Sequence, residues 1–285
     1  MPRATPSRRE GSIVAVIALC NRKGGVGKSS STFNIGGTLA KAGRRVLLVD
    51  VDPQASLTQG ILGPEATAAL DPRTTIAAAY AGAIARPEQV IRATPFSGLD
   101  LVSGSERAGV YETGRPHEES WERQTCLAEL LGELRGDYDH VLLDCPPSLG
   151  LFTWAALAAA DRVLVPVQCE DYGAQGLVLI FQAIEAVRLA KNPRLEVLGL
   201  LLTMVSPRRA LHQLYDGLLR EEYGDWVFAT VVPAAPDVPE AIMLRRPVCH
   251  HKPRGAAAKA FAAVAAELEE RLALPQATGQ GEVAA

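Results

Sequence analysis

The chain has 285 residues, of which 48% are apolar and 21% charged, and its formal net charge is −3. Such a composition supplies a sizeable core and excludes a disordered or collagen-like chain, and no apolar run approaches the ~18 residues that a membrane-spanning helix needs. The near-neutral balance also excludes a global cationic field, so any contact with nucleic acid must come from a local patch.

Residues 1–11, with Arg3, Arg8 and Arg9, read as a flexible N-terminal segment. The apolar run that follows ends in the polar Asn21-Arg22-Lys23 without a small-residue cleavage site, so it predicts a strand over 13–20 rather than a signal peptide. A helix over 29–42 and a strand over 45–51 come next. The alanine-rich stretch 56–95, broken by Pro64, Pro72 and Pro87, predicts short helices, and 99–103 is a weaker strand. Then helices over 125–135, 149–160, 177–191, 210–223 and 256–274 alternate with strands over 140–144, 162–168, 195–205 and 227–232. Residues 275–285 read as a disordered tail. Short β-branched runs with little alternation suit strands buried on both faces. The implied fold class is α/β, a mostly parallel twisted sheet with helices on both faces, built as a single domain over 12–274. The five cysteines, Cys20, Cys126, Cys145, Cys169 and Cys249, form no CxxC pair, which argues against a disulfide framework or structural zinc and for a reduced, cytoplasmic protein.

Three strings carry chemistry. Between the first strand and first helix runs Asn21-Arg22-Lys23-Gly24-Gly25-Val26-Gly27-Lys28-Ser29-Ser30. Glycines in that position let backbone N–H groups turn onto phosphates, and the helix N-terminus adds positive dipole. Lys28 would neutralise the β- and γ-phosphates and the Ser29 hydroxyl would ligate Mg²⁺. The general phosphate-loop pattern has glycine where Arg22 stands, and an extra lysine, Lys23, sits beside it. The second string, Val49-Asp50-Val51-Asp52-Pro53-Gln54, ends a strand at the carboxyl edge of the sheet, where ligands bind in such folds. The third, running from Val141 through Asp144-Cys145-Pro146-Pro147 to Gly150, places a carboxylate at a strand end near the metal, and its prolines force an extended turn.

The string from Lys23 to Ser29 resembles the deviant Walker A motif of the ParA/MinD family of dimerising P-loop ATPases. The strings at 52–58, 144–150 and 165–170 are similar to the partition (ParA/Soj) branch, and the resemblance runs from about residue 13 to residue 271. It implies a P-loop NTPase fold, an ATP-dependent sandwich dimer, and hydrolysis of ATP to ADP and phosphate with ATP and Mg²⁺ as cofactors. By resemblance, residues Lys23, Gly24, Gly25, Val26, Gly27, Lys28, Ser29 and Ser30 hold the nucleotide, and Lys23 reaches across the dimer to the partner's nucleotide. Lys23 and Lys28 are catalytic alongside Asp52, which orients the attacking water. Ser29, Asp144 and Asp52 make up the metal end, while Asp50 is read as structural or as supporting the ligands from behind. A cation donated in trans would offset the repulsion between two facing triphosphates.

The resemblance also implies non-specific binding of nucleoid double-stranded DNA by the dimer. One family DNA-contacting arginine falls at Arg208, beside Arg209; at the second basic position this chain has Asp237, and a carboxylate there repels phosphate. Arg245 and Arg246, with Lys252 and Arg254, form a basic cluster one segment later that would offset the loss. The implied partners are a second copy, DNA and a ParB-like or other ATPase-stimulating protein, with no membrane, because the C-terminal end is acidic and polar rather than a basic amphipathic helix. The expected role is segregation or positioning of chromosome or plasmid DNA in a cytoplasmic, nucleoid-associated protein. The alternative is a ParA-like positioner of a non-DNA cargo, such as a chemoreceptor cluster, carboxysome or division site. Two rivals from other classes are a metabolic ATP-dependent ligase or metallochaperone sharing the loop, and a pure DNA-binding module. His250-His251 is read as a surface feature rather than a metal site.

Overall fold

Strand β1 (Ala15–Leu19) is buried along its whole length, with Ala15, Ile17 and Leu19 facing one core and Val16 and Ala18 the other. A strand with two apolar faces demands cover on both sides. The same holds for β2 (Val46–Asp50), β4 (Leu99–Val102) and β5 (His140–Asp144), which are buried throughout. With β3 (Ile91–Ala93), β6 (Arg162–Gln168) and β7 (Glu196–Thr203) they form one seven-stranded sheet, order β3-β4-β2-β5-β1-β6-β7. Every pairing is parallel except that of β3 with β4. These coordinates are a computed structural model and describe residues 14–84, 86–169 and 174–274. The expected N-terminal segment, the tail and Glu170 lie outside the described residues.

One face carries α1 (Lys28–Lys41), α2 (Ser56–Leu62) and, further along the chain, α9 (Asp237–Met243), α10 (Val248–His251) and α11 (Ala256–Ala273). Its core is built on Phe33, Leu57 and Phe261. The other face carries α4 (Ala77–Tyr80), α5 (Trp121–Leu134), α6 (Leu151–Ala159) and α7 (Ala174–Ala190), over a core that includes Tyr80, Leu127, Phe152 and Ile180. The short α3 (Pro64–Ala68) follows α2, and α8 (Ala210–Tyr223) follows β7.

Three sequence expectations need correction. Residues 227–232 form no strand, although Phe228 N–H donates to Leu200 O and Val232 N–H to Leu202 O alongside β7. The Glu267 carboxylate takes the N–H groups of Ala229 and Thr230 at 2.8 and 3.0 Å, which diverts them from a ladder. The helix expected from 125 starts at Trp121, capped by Ser120, whose hydroxyl accepts from Arg123 N–H. The antiparallel edge strand β3 lies in the stretch expected to hold only short helices.

The parallel strands bring the three motifs to one edge. Leu19 and Asp144 are register neighbours, and so are Asp50 and Asp144, so β1, β5 and β2 end side by side.

Candidate functional site

The loop between β1 and α1 turns through Gly25 and Gly27, at φ +77° and +84°, left-handed conformations in which glycine carries no steric penalty. Gly24 is different: its φ is not left-handed, and a Cβ added there would meet nothing within 4 Å. Nothing among the described residues requires glycine at that position. The loop is moored at several points. Asn21 Nδ2 donates to Pro166 O at 2.7 Å, and Asn21 Oδ1 accepts from Lys23 N–H at 3.0 Å. Thr203 Oγ1, at the end of β7, donates to the carbonyl of buried Val26 at 2.8 Å.

Lys28 begins α1 and donates from Nζ to Lys23 O at 2.9 Å, arching over the loop. Only 7% exposed, it has its pKa pulled below the usual lysine value by burial, against the opposing pull of Asp144 and Asp52. A desolvated ammonium beside a helix start whose N-cap residue, Gly27, offers no side-chain cap is a seat for a polyanion. The Lys23 side chain lies on the exposed outer side of the loop, and Ser30 lies next along α1.

Three carboxylates, Asp50, Asp52 and Asp144, stand at the ends of β2 and β5. Asp144 is fully buried and hydrogen-bonded to Ser29, and Thr32 Oγ1 lies at 3.5 Å. Its pKa is pushed well above the carboxylate range by burial first and then by Asp50. Asp144 Oδ2 and Asp50 Oδ1 are both buried without a hydrogen-bond partner. Unpartnered buried acceptors on neighbouring strands fit a divalent cation with its water shell, which would supply the missing positive charge. Asp50 Oδ2 accepts from Thr58 N–H and Oγ1 at 2.8 and 2.6 Å, so this residue pins the start of α2. Asp52, 8% exposed, accepts from Gln54 N–H through Oδ1 at 2.9 Å, and burial raises its pKa against the pull of that amide and Lys28.

Two features have no signal in the sequence. Glu112 accepts from the Ser148 hydroxyl at 2.9 Å and from Phe152 N–H at 3.3 Å, clamping the turn between Asp144 and α6. Gly150 is required there by close approach, since a Cβ would sit 2.6 Å from Thr113 O. The second is a cavity of about 540 Å³ beside Gly27, Ser30 and Ser31, with Met204, Pro233 and Ile242 among its walls.

The cationic candidates separate into two places. Arg208 and Arg209 are exposed at the turn into α8, and Arg209 lines the cavity. Arg245 and Arg246 are exposed on the turn after α9. Lys252 does not extend that cluster. Its ammonium lies 2.8 Å from Asp237 and 2.7 Å from Glu240, so it neutralises the carboxylate that interrupts the basic pattern. His251 sits 3.4 Å from Glu240, and His250 tilts over Phe96 with ring centroids 5.0 Å apart. Among the described residues no group of three metal-ligating side chains exists, and no helix is long and apolar enough to cross a membrane.

Comparison with known proteins gives a consistent picture. The profile of a family described as an AAA domain matches residues 14–197. Chromosome partitioning protein ParA of Caulobacter vibrioides is 36% identical over 258 residues, covering 90% of this chain and 94% of that protein. Chromosome-partitioning ATPase Soj of Thermus thermophilus is 38% identical over 262 residues, covering 90% and 96%. Among solved structures, cobyrinic acid a,c-diamide synthase from Mycobacterium smegmatis with bound ADP and magnesium superposes with a TM-score of 0.74 at 29% identity, covering 88% of this chain and 92% of that one.

Proposed function

The chain belongs to the ParA/Soj family of P-loop ATPases, and we propose that it dimerises on ATP, holds DNA in that state and releases it on hydrolysis. The observation that carries the reading is the convergence of Lys28, Ser29, Asp52 and Asp144 at one sheet edge, with Asp144 Oδ2 unpartnered. The amides of Gly25–Ser29 and the Lys28 ammonium bind the phosphates. Ser29 and Asp144 would hold Mg²⁺, which when bound would supply positive charge against the triphosphate. Asp52, with Oδ1 held by Gln54 N–H, keeps Oδ2 to accept a hydrogen bond from the attacking water and orient it. The cavity next to Gly27 and Ser30 takes the base, its apolar walls excluding water from the ring.

Lys23 stands on the outer side of the loop, where it would meet a partner's nucleotide, and its backbone carbonyl is taken up by Lys28. Arg208, Arg209 and Arg246, doubled by the dimer, make the DNA-facing stripe, and a partner protein stimulates turnover. The protein is then cytoplasmic and nucleoid-associated. With about six phosphates neutralised per dimer, log affinity falls with log salt at a slope of roughly −5.

The second reading, a positioner of non-DNA cargo, is favoured by one observation: Lys252 is committed to Asp237 and Glu240, which trims the basic cluster. The ligase rival takes support from the neighbour named for an amidating enzyme. The partition relatives, at 36–38% identity over 90% of the chain, outweigh it.

The test is DNA affinity in the ADP and ATP forms, measured by fluorescence anisotropy with wild type and Asp52→Ala. The variant should bind ATP, hydrolyse it at least ~100-fold more slowly and stay dimeric on DNA. Equal DNA affinity of the two nucleotide forms refutes the DNA reading and leaves the cargo reading.

A further inference from the structure

The turn after α9 carries a backbone feature that its sequence disfavours. Arg245 adopts φ +55°, a left-handed conformation that a side chain with a Cβ rarely occupies. That conformation closes α9 as a helix C-terminal cap, with Arg245 N–H donating to Ile242 O and Arg246 N–H to Ala241 O at 2.9 and 3.0 Å, so what singles the turn out is where the side chain goes. The surroundings here are specific. A Cβ on Gly63, the residue ending α2, would come within 2.7 Å of Arg245 Nε and closer still to Cζ and Nη2 of its guanidinium. Gly63 itself is left-handed at φ +91°. The guanidinium therefore rests on bare backbone at the end of α2, a seat that any other residue at 63 would fill.

A second contact is looser: a Cβ on Gly60 would lie 3.6 Å from Ile242 Cγ2, an ordinary van der Waals distance. So α9 and its turn are fitted against α2 at two points. The same helix also borders the nucleotide site, since Val238, Pro239 and Ile242 line the cavity beside Gly27 and Ser30.

Helix α2 in turn starts from Asp52. Ala55 N–H donates to Asp52 O, Gln59 N–H to Ala55 O and Gly63 N–H to Gln59 O, at 2.8, 2.8 and 2.9 Å. Thr58 ties the same helix to buried Asp50. One continuous set of contacts thus joins the Asp52 turn, α2, Gly63, Arg245 and the exposed tip Met243–Arg246, where Met243 is 76% and Leu244 47% exposed.

We propose that α9 with its turn is a relay: Arg245, seated on Gly63, is a positioning residue that ties the presentation of the cationic tip to the state of the Asp52 helix. The proposal rests on the nucleotide site assigned above. Arg245 acts through its seat on α2, and Arg246 is the neighbouring residue it presents to DNA.

Hydrogen–deuterium exchange on the full chain tests this without DNA. Amides of 243–246 are followed in wild type with Mg·ADP and with Mg·AMPPNP, and in Arg245→Gly and Arg245→Lys. The glycine variant suits the left-handed backbone, so the fold is retained; the lysine variant keeps the charge but lacks the planar group. In wild type, exchange at the tip should slow by about fivefold or more with the ATP analogue relative to ADP. In both variants that difference should fall below about twofold, while α1 amides remain protected by nucleotide. A tip that ignores nucleotide in wild type, or one that responds fully in Arg245→Gly, overturns the relay.

A DNA arm separates the two levels. Arg245→Lys should bring the ATP/ADP affinity ratio close to one from about tenfold, whereas Arg246→Ala should weaken both forms alike and keep the ratio. If wild type binds no DNA in either state, the DNA reading fails, and the exchange data still decide the relay.

Discussion

Replacing Asp144 with asparagine should stabilise the nucleotide-free protein while abolishing its response to Mg·ATP. In the folded chain Asp144 Oδ2 and Asp50 Oδ1 belong to register neighbours, are buried, and lack partners. A carboxamide keeps one oxygen for Ser29 and Thr32 and turns the unpartnered oxygen into an N–H donor beside the Asp50 carboxylate. A hydrogen bond to a charged acceptor is worth about 1.5–3 kcal/mol, and the carboxamide has no ionised form for burial and Asp50 to oppose, so a net gain of ~2 kcal/mol is expected. For a domain of this size each kcal/mol moves Tm by about 2–4 °C, giving a rise of about 4–8 °C in EDTA. Saturating Mg·AMPPNP at ~100 times Kd should add ~2.7 kcal/mol to wild type. The variant, having lost the anionic acceptor for the metal shell, should gain little. Differential scanning calorimetry with and without nucleotide reads both effects. A lower Tm in EDTA, or an intact nucleotide shift, would refute the assignment of Asp144 as a strained apo carboxylate awaiting a cation.

Two further outcomes follow from the geometry. Gly24→Val should fold and bind nucleotide, because a Cβ at that position meets nothing within 4 Å, yet remain monomeric with ATP in size-exclusion chromatography with light scattering. A dimer would show that the loop does not face a second copy. His140 is buried, and burial pulls its pKa down against Glu269, 3.2 Å away. The unfolded chain therefore binds the proton more readily, and stability is lost as pH falls below about 6.5. His140→Asn should flatten the Tm–pH profile between about pH 6.5 and 5, and an unchanged slope would place the acid sensitivity elsewhere.

How far the sequence alone led depended on whether the signal was local. The convergence of residues 23–30, Asp52 and Asp144 at one edge is legible because each string follows an apolar run and parallel strands necessarily bring such strand ends together. Glu112 was invisible: it lies in a stretch with no periodicity and acts on Ser148 and Phe152 only through tertiary contact. The cavity is equally non-local, assembled from the phosphate loop, the end of β7 and α9. The basic cluster was overcounted because composition cannot show that the Lys252 ammonium is bonded to Asp237 and Glu240. Residues 227–232 have a strand's composition but lose two ladder donors to Glu267, a competitor far along the chain.

The Thr203 hydroxyl bonded to Val26 O bears on how the polypeptide is made. All three phosphate-handling strings leave the ribosome before residue 203 does, and domains form from the N-terminal side as synthesis proceeds. A nascent chain would thus carry Lys28, Asp52 and Asp144 while its loop still lacks one of the bonds that moor it, and the mooring would be complete only once β7 has joined the sheet edge.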